Sequence, residues 1–258
     1  MNVKVPAAQH TLRILTLLAS RKSPTPAAMI AKLLDIPRSS VYQILTIMVE
    51  QGYVAHYPEE QSYGLGISAF ELSSAFTRQE PLARHGAPLL ANLVDRIGES
   101  AHLAVLHGND VLYIVEERAK GRPSLVTDVG VRLPSHLTAS GRAILAALPK
   151  SQVRALYPRA SSFTVREGAT TSMRSYATLR TELEHTATRG YAQESGDVTP
   201  DFHSIAVVVK DTRDWPVAAI AVTFLAGRFT EENIRERVIE PLQETAGALA
   251  DRFSGRRR

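Results

Sequence analysis

One stretch constrains this chain more than any other: Asp35-Ile36-Pro37-Arg38-Ser39-Ser40-Val41-Tyr42-Gln43-Ile44-Leu45-Thr46-Ile47-Met48-Val49-Glu50-Gln51-Gly52. Val41, Ile44, Leu45 and Met48 recur at three- and four-residue spacing and draw one apolar stripe along a helix. Pro37 suits the first helical turn, where its missing N–H would have had no acceptor. Gly52 suits the C-terminal stop. The first turn and opposite face carry Arg38, Ser39, Ser40, Tyr42 and Gln43. A helix N-terminus holds phosphate through its free N–H groups, while Arg and Gln reach base edges. Taken alone, such a helix is also an ordinary amphipathic helix with a solvated face. Its neighbours decide between the readings.

Residues 7–19 carry Leu12, Ile14, Leu15, Leu18 and Ala19, a helix with a broad apolar face. Arg21-Lys22-Ser23-Pro24 breaks it, and Thr25 then reads as an N-cap with Pro26 at the first helical position. Met29, Ile30, Leu33 and Leu34 are the buried set of this second helix. Two helices joined at Asp35-Ile36 form a helix-turn-helix. After Gly52, residues 53–57 and 62–65 read as two short strands around a polar turn, the hairpin known as a wing. Helix, helix-turn-helix and wing in that order predict a winged helix over residues 1–66. Its major-groove candidates are Arg38, Ser39, Ser40, Tyr42 and Gln43. Arg21, Lys22, Thr25, His56, Gln61 and Ser62 are the candidate backbone contacts, which give salt-dependent affinity but little specificity. The bland reading of the hairpin is closure of the domain.

Residues 67–80 read as a linker helix whose Ile67, Phe70, Leu72 and Phe76 either meet a second subunit or pack on the wing. A helix from Pro81 to Ile97 follows, stopped by Gly98. From Ala101 the apolar period changes. Residues 101–106 and 111–115 form a hairpin, and Ser124 to Gly130 reads as a third strand. A loop from Leu133 then enters a helix running to Leu148. A long helix from Ser172 to Arg189 buries Leu179 and Leu183, and Gly190 ends it. Residues 205–209 and 217–224 are the most apolar strands, and Thr230 caps a last helix interrupted by Pro241. Hairpins with flanking helices predict an α+β domain over residues 81–258, a mostly antiparallel sheet with helices on it.

The 258 residues are enough for two domains. No apolar run reaches membrane-spanning length or resembles a secretory signal, so a cytoplasmic protein with no membrane partner is expected. Cysteine is absent, which excludes disulfides and thiolate chemistry. The net charge of +4 lies partly in Arg256-Arg257-Arg258 and says little about nucleic acid. Among eight His residues none shows zinc-protease spacing. There is no phosphate-cradling glycine loop or nucleophile elbow, and Ser140-Gly141 at a helix start reads as an N-cap or anion site. Neither a catalytic residue, a metal nor a cofactor is expected. The alternative is an enzyme that carries a fused winged helix and acts on a small metabolite in its C-terminal domain.

These residues resemble the IclR-type transcriptional regulators, a winged helix joined to a GAF-like effector-binding domain. The resemblance rests on Ile14-Leu15 with Leu18, on Pro37-Arg38-Ser39-Ser40-Val41 with Leu45, and on Gly52-Tyr53-Val54. Further on it rests on Leu133-Pro134, on residues 138–146 from Thr138 through Ser140-Gly141-Arg142, on Leu179 with Glu182-Leu183, on Gly190-Tyr191-Ala192 and on Ile205-Ala206. It implies a pocket in which Ala139 and Ser140 offer N–H groups to a carboxylate. Glu194 is the acidic member, with Asp197 a rival, and Ser204 stands where the family has Cys. Ala221 and Thr223 line the sheet, and Leu133 and Ile205 supply apolar wall. Three departures stand out: Gln43 in place of a usual Arg, Asp201-Phe202-His203-Ser204 before Ile205, and Ala221 in place of a hydroxyl residue. The expected function is a sequence-specific, double-stranded-DNA-binding regulator, a homodimer or tetramer on a palindromic operator. A small organic acid, aromatic acids included, would modulate it.

Overall fold

A computed structural model describes residues 5–21, 23–72, 81–123, 125–164, 171 and 173–253. Lys22, Phe76, Ser124, Ser172 and the Arg256–Arg258 tail lie outside these residues. The chain divides into two compact units, Met1–Gln79 and Glu80–Arg258.

The first unit packs α1 (Pro6–Ala19), α2 (Ala27–Leu34) and α3 (Arg38–Glu50) around Ile14, Leu18, Ile30, Val41, Leu45 and Met48. Asp35 turns α2 into α3 by adopting a left-handed φ of 52°, which a short polar side chain tolerates. Pro37 sits one place before the first helical residue as the N-cap, so it precedes the turn that the sequence suggested it occupies. Gly52, at φ 74°, ends α3 as expected, with the Tyr53 N–H donating back to the Met48 carbonyl at 2.9 Å.

Thr25 does not cap α2, and Pro26 is not its first helical residue. They form a short strand, β1 (Thr25–Pro26), antiparallel to β3 (Ser62–Leu65), which also pairs with β2 (Val54–Tyr57). The backbone before α2 is thus satisfied by the wing sheet, and Pro26 takes the capping position with no side-chain bond. Residues 67–72 are helical, α4.

In the second unit six strands, among the described residues, form one sheet in the order β6-β5-β4-β9-β8-β7. They are β4 (Ser100–His107), β5 (Asp110–Glu117), β6 (Arg132–Pro134), β7 (Ala192–Ser195), β8 (Phe202–Lys210) and β9 (Pro216–Leu225), and neighbours run antiparallel. The strand expected at residues 124–130 is absent from the described part, where the chain turns instead. The edge strand β6 falls later, at Arg132–Pro134, and β7 joins the opposite edge.

One sheet face meets α5 (Pro81–Ile97) and α9 (Glu240–Phe253) through Leu90, Leu93, Leu103, Ile205, Val207, Ile220, Val222, Leu242 and Leu249. The other face is built of small side chains, Ala104, Ala206, Ala219 and Ala221, under α6 (Ala139–Ala147). Behind α6 lie α7 (Lys150–Leu156) and α8 (Tyr176–Arg189), the latter capped by Ser175 and ended by Gly190 at φ 81°. Thr230 does not cap the last helix. Residues Arg235–Ile239 make a π-helical turn before α9, next to Pro241, which has no N–H to donate.

Candidate functional site

Arg38, Ser39, Tyr42 and Gln43 are exposed on α3 and Ser40 is half-buried, while the apolar stripe opposite them is sealed. The stripe alone orients the helix, and the polar first turn faces solvent as a consequence. Arg21, His56 and Gln61 are also exposed, and His56 stacks on Tyr63 with ring centres 4.6 Å apart. Thr25 and Ser62 are different. Each is at most 5% exposed, locked as β1–β3 neighbours, so neither side chain is available to a duplex. The sequence marked both as polar turn residues, and tertiary pairing buried them.

The second unit holds a narrow cavity, part of it open to solvent, between the start of α6 and the ends of the central strands. Ala139, Ser140, Glu194, Ser204, Ala221 and Thr223 all line it. Register explains why residues so far apart converge. Glu194 lies opposite Ser204, Ser204 opposite Thr223, and Thr223 opposite Ser100, so one polar row crosses four strands. The next row is Ala192, Ala206, Ala221 and His102. Because strand side chains alternate between faces, Ile205 points the other way. It is packed among the α5–α9 core and is no part of the pocket, contrary to the sequence expectation. Leu133 is buried on the correct face, beside Ala139 and Tyr113, but does not line the cavity either.

Thr138 rather than Ser140 caps α6, its hydroxyl accepting from the Gly141 N–H at 3.0 Å. The N–H groups of Ala139 and Ser140 belong to the first turn and have no intrahelical acceptor, so they are presented at the cavity wall. Gly141 lets the chain before α6 fold tightly back. A Cβ there would stand 2.2 Å from the Ser135 carbonyl oxygen. The Ser140 hydroxyl is buried with no hydrogen-bond partner among the described residues.

Glu194 is 4% exposed. Its carboxyl accepts from the Ser204 hydroxyl at 2.7 Å and from the Asp197 N–H at 3.1 Å, and Ser204 lies 3.0 Å from the Thr223 hydroxyl. Burial outweighs these bonds and pushes the Glu194 pKa up to about 7. Asp197, the rival acid, turns away and pairs with Arg142. The buried Arg142 guanidinium also donates to the His136 and Gln193 carbonyls at 2.9 and 2.8 Å, tying α6 to β7.

Sequence reasoning missed several lining residues: His102, Tyr113, Leu125, Val126, Thr127, Val198 and Thr199. His102 alternates in register with Ala101 and Leu103, and that alternation could have assigned its face. The loop residues carried no comparable signal. Phe202, the bulky departure, does stand at the cavity.

Similarity to known proteins fits both halves. Residues 7–58 match the IclR helix-turn-helix domain and residues 74–251 the bacterial transcriptional regulator IclR C-terminal domain. The Pca regulon regulatory protein of Pseudomonas putida is 26% identical over 245 residues, covering 95% of this chain and 82% of that protein. The transcriptional repressor IclR of Escherichia coli is 26% identical over 227 residues, covering 87% and 82%. An IclR homologue from Microbacterium hydrocarbonoxydans, solved in complex with 4-hydroxybenzoate, shares the fold with a TM-score of 0.80. It is 22% identical and covers 96% of this chain and 99% of its own. With a helix-turn-helix unit ahead of a helix-covered antiparallel sheet, and regulators as its relatives, this protein is a transcriptional regulator and not an enzyme, and it belongs to the IclR family.

Proposed function

We propose that this regulator binds a specific operator through α3 and the wing, and that a small organic acid held beneath the start of α6 alters that binding. Arg38, Ser39, Ser40, Tyr42 and Gln43 would enter the major groove, with Arg21, Lys22, His56 and Gln61 on the backbone. The observation that carries the effector half is the pocket's chemistry. First-turn N–H groups and an unpartnered Ser140 hydroxyl lie at a buried site, where the helix dipole favours an anion. Glu194, Ser204 and Thr223 supply the facing hydrogen bonds, while Ala221 leaves apolar room. A carboxylate-bearing ligand, such as the one in the Microbacterium homologue, suits this arrangement.

The exposed Leu12 and Leu33, and Ile67, Phe70 and Leu72 on α4, leave apolar surface that a second copy would cover. A two-fold dimer would read a palindrome with half-sites about one helical turn or a multiple apart. A cytoplasmic location goes with this reading, since the operator it requires is there. Selection of the full-length protein on a random duplex library tests the first half, with a two-fold-symmetric site expected. Enrichment of asymmetric sequences, or none, would overturn it. Anisotropy on the selected duplex, with and without benzoate and aliphatic carboxylates, tests the second half. An unchanged Kd across the acids would remove the effector role.

A further inference from the structure

Beyond the polar row at Glu194, a further residue lining the same cavity holds a polar atom with no partner among the described residues. His102 on β4 is 1% exposed and lines the pocket, yet its Nδ1 has no hydrogen-bond partner among the described residues. Its Nε2 is engaged, 2.6 Å from the Thr127 hydroxyl. Tyr113 holds the ring edge-on at 5.8 Å. A buried polar atom left unpaired carries a desolvation cost, so such atoms point to a missing partner.

We propose that His102 is a specificity-determining residue of the pocket, its Nδ1 accepting a hydroxyl from the ligand at the end remote from the ligand's carboxylate. The inference rests on the effector reading above and names the ligand class: a hydroxy-substituted carboxylic acid. Position supplies the separation. The carboxylate end lies at the start of α6, on the helical wall of the cavity, while His102 stands on β4 in the sheet beneath. In its row His102 stands between the methyl of Ala221 on β9 and Glu116 on β5.

The tautomer supplies the donor preference. Glu116 Oε1 lies 3.9 Å from the same Nε2 that meets Thr127, and acceptors on that side keep the ring proton on Nε2. Nδ1 is then a bare acceptor, which takes an O–H and rejects a carbonyl oxygen. Burial first, and then the Arg118 guanidinium, hold the imidazole neutral, with its pKa lowered to about 3.

Calorimetry on the full-length protein with matched pairs tests this: benzoate against its ring-hydroxylated isomers, and pentanoate against 5-hydroxypentanoate. A hydroxylated member should bind roughly tenfold to a hundredfold more tightly than its parent acid. The advantage should vanish in His102→Phe, which keeps a ring and removes the nitrogen, the readout being the ratio of the paired affinities and not either affinity alone. Should that variant fold poorly, nitrogen-15 spectra of wild-type histidines give the same answer. The His102 Nδ1 resonance should move with the hydroxylated acid and not with the parent. Equal affinities within every pair, or a preference that survives His102→Phe, would overturn the role of His102 and leave the carboxylate site standing. No binding by any acid would overturn both.

Discussion

Replacing Glu194 by Gln is the sharpest test of the pocket's electrostatics. The folded protein holds this carboxyl at a pKa of about 7, against 4.5 in the unfolded chain. Between those values the folded state binds the extra proton, so stability conferred by Glu194 is fully present below pH 4.5 and is lost as pH rises through 7. The difference corresponds to roughly 3 kcal/mol. Glutamine cannot ionise, and its amide can still accept from the Asp197 N–H while facing Ser204. The variant should therefore match or slightly trail the wild type at acid pH and exceed it by roughly 3 kcal/mol at alkaline pH.

His102 pulls in the opposite direction. Its depressed pKa costs stability as pH falls below 6.5, but it does so in both proteins and cancels in the difference. Urea melts across this range, followed by fluorescence of Trp215, the chain's single tryptophan and a reporter of the second unit, give that difference directly. Parallel pH profiles for the two proteins would refute the reasoning.

Further outcomes follow from other contacts. Arg142→Met keeps the length of the side chain but strands the His136 and Gln193 carbonyls and Asp197, so it should lower stability by about 3–5 kcal/mol, read as a reduced urea midpoint. Gly141→Ala forces a methyl to within 2.2 Å of the Ser135 carbonyl and should destabilise by more than ~2 kcal/mol; a thermal melt unchanged from wild type would contradict the close approach. Arg38→Ala, at an exposed position, should leave the melting temperature unchanged and weaken binding to the selected operator by about 1–3 kcal/mol if Arg38 reads a base, or lower the salt slope by about 1 if it holds a phosphate. Anisotropy in a salt series distinguishes these, and unaltered affinity would remove Arg38 from the interface. A carboxylate ligand beside Glu194 should bind with proton uptake near neutrality, since a second negative charge favours the protonated acid; calorimetry in buffers of different ionisation heat would show no buffer dependence if Glu194 stays ionised.

Local patterns carried much of this molecule. The stripe of Val41, Ile44, Leu45 and Met48 oriented α3, and with it the polar face, because helical period and burial are both properties of a short segment. Gly52, Gly98 and Gly190 marked helix ends for the same reason: a positive φ is a local demand. The expected members of the pocket came from likeness of motif rather than from periodicity, and the structure does bring Ala139, Ser140, Glu194, Ser204, Ala221 and Thr223 to one cavity.

What the chain alone left open were matters of pairing. Thr25 and Ser62 looked like surface polar residues until β1 met β3 across about forty intervening residues. Ile205 adjoins Ser204, and only the register of β8 on β9 sends one to the cavity and the other to the α5–α9 core. His102 became part of the pocket because β9 sits between β4 and β8 in strand order. Periodicity along a segment determines which residues share a face, but which distant faces meet depends on strand order and on closing long loops, and those contacts exist only in the folded whole.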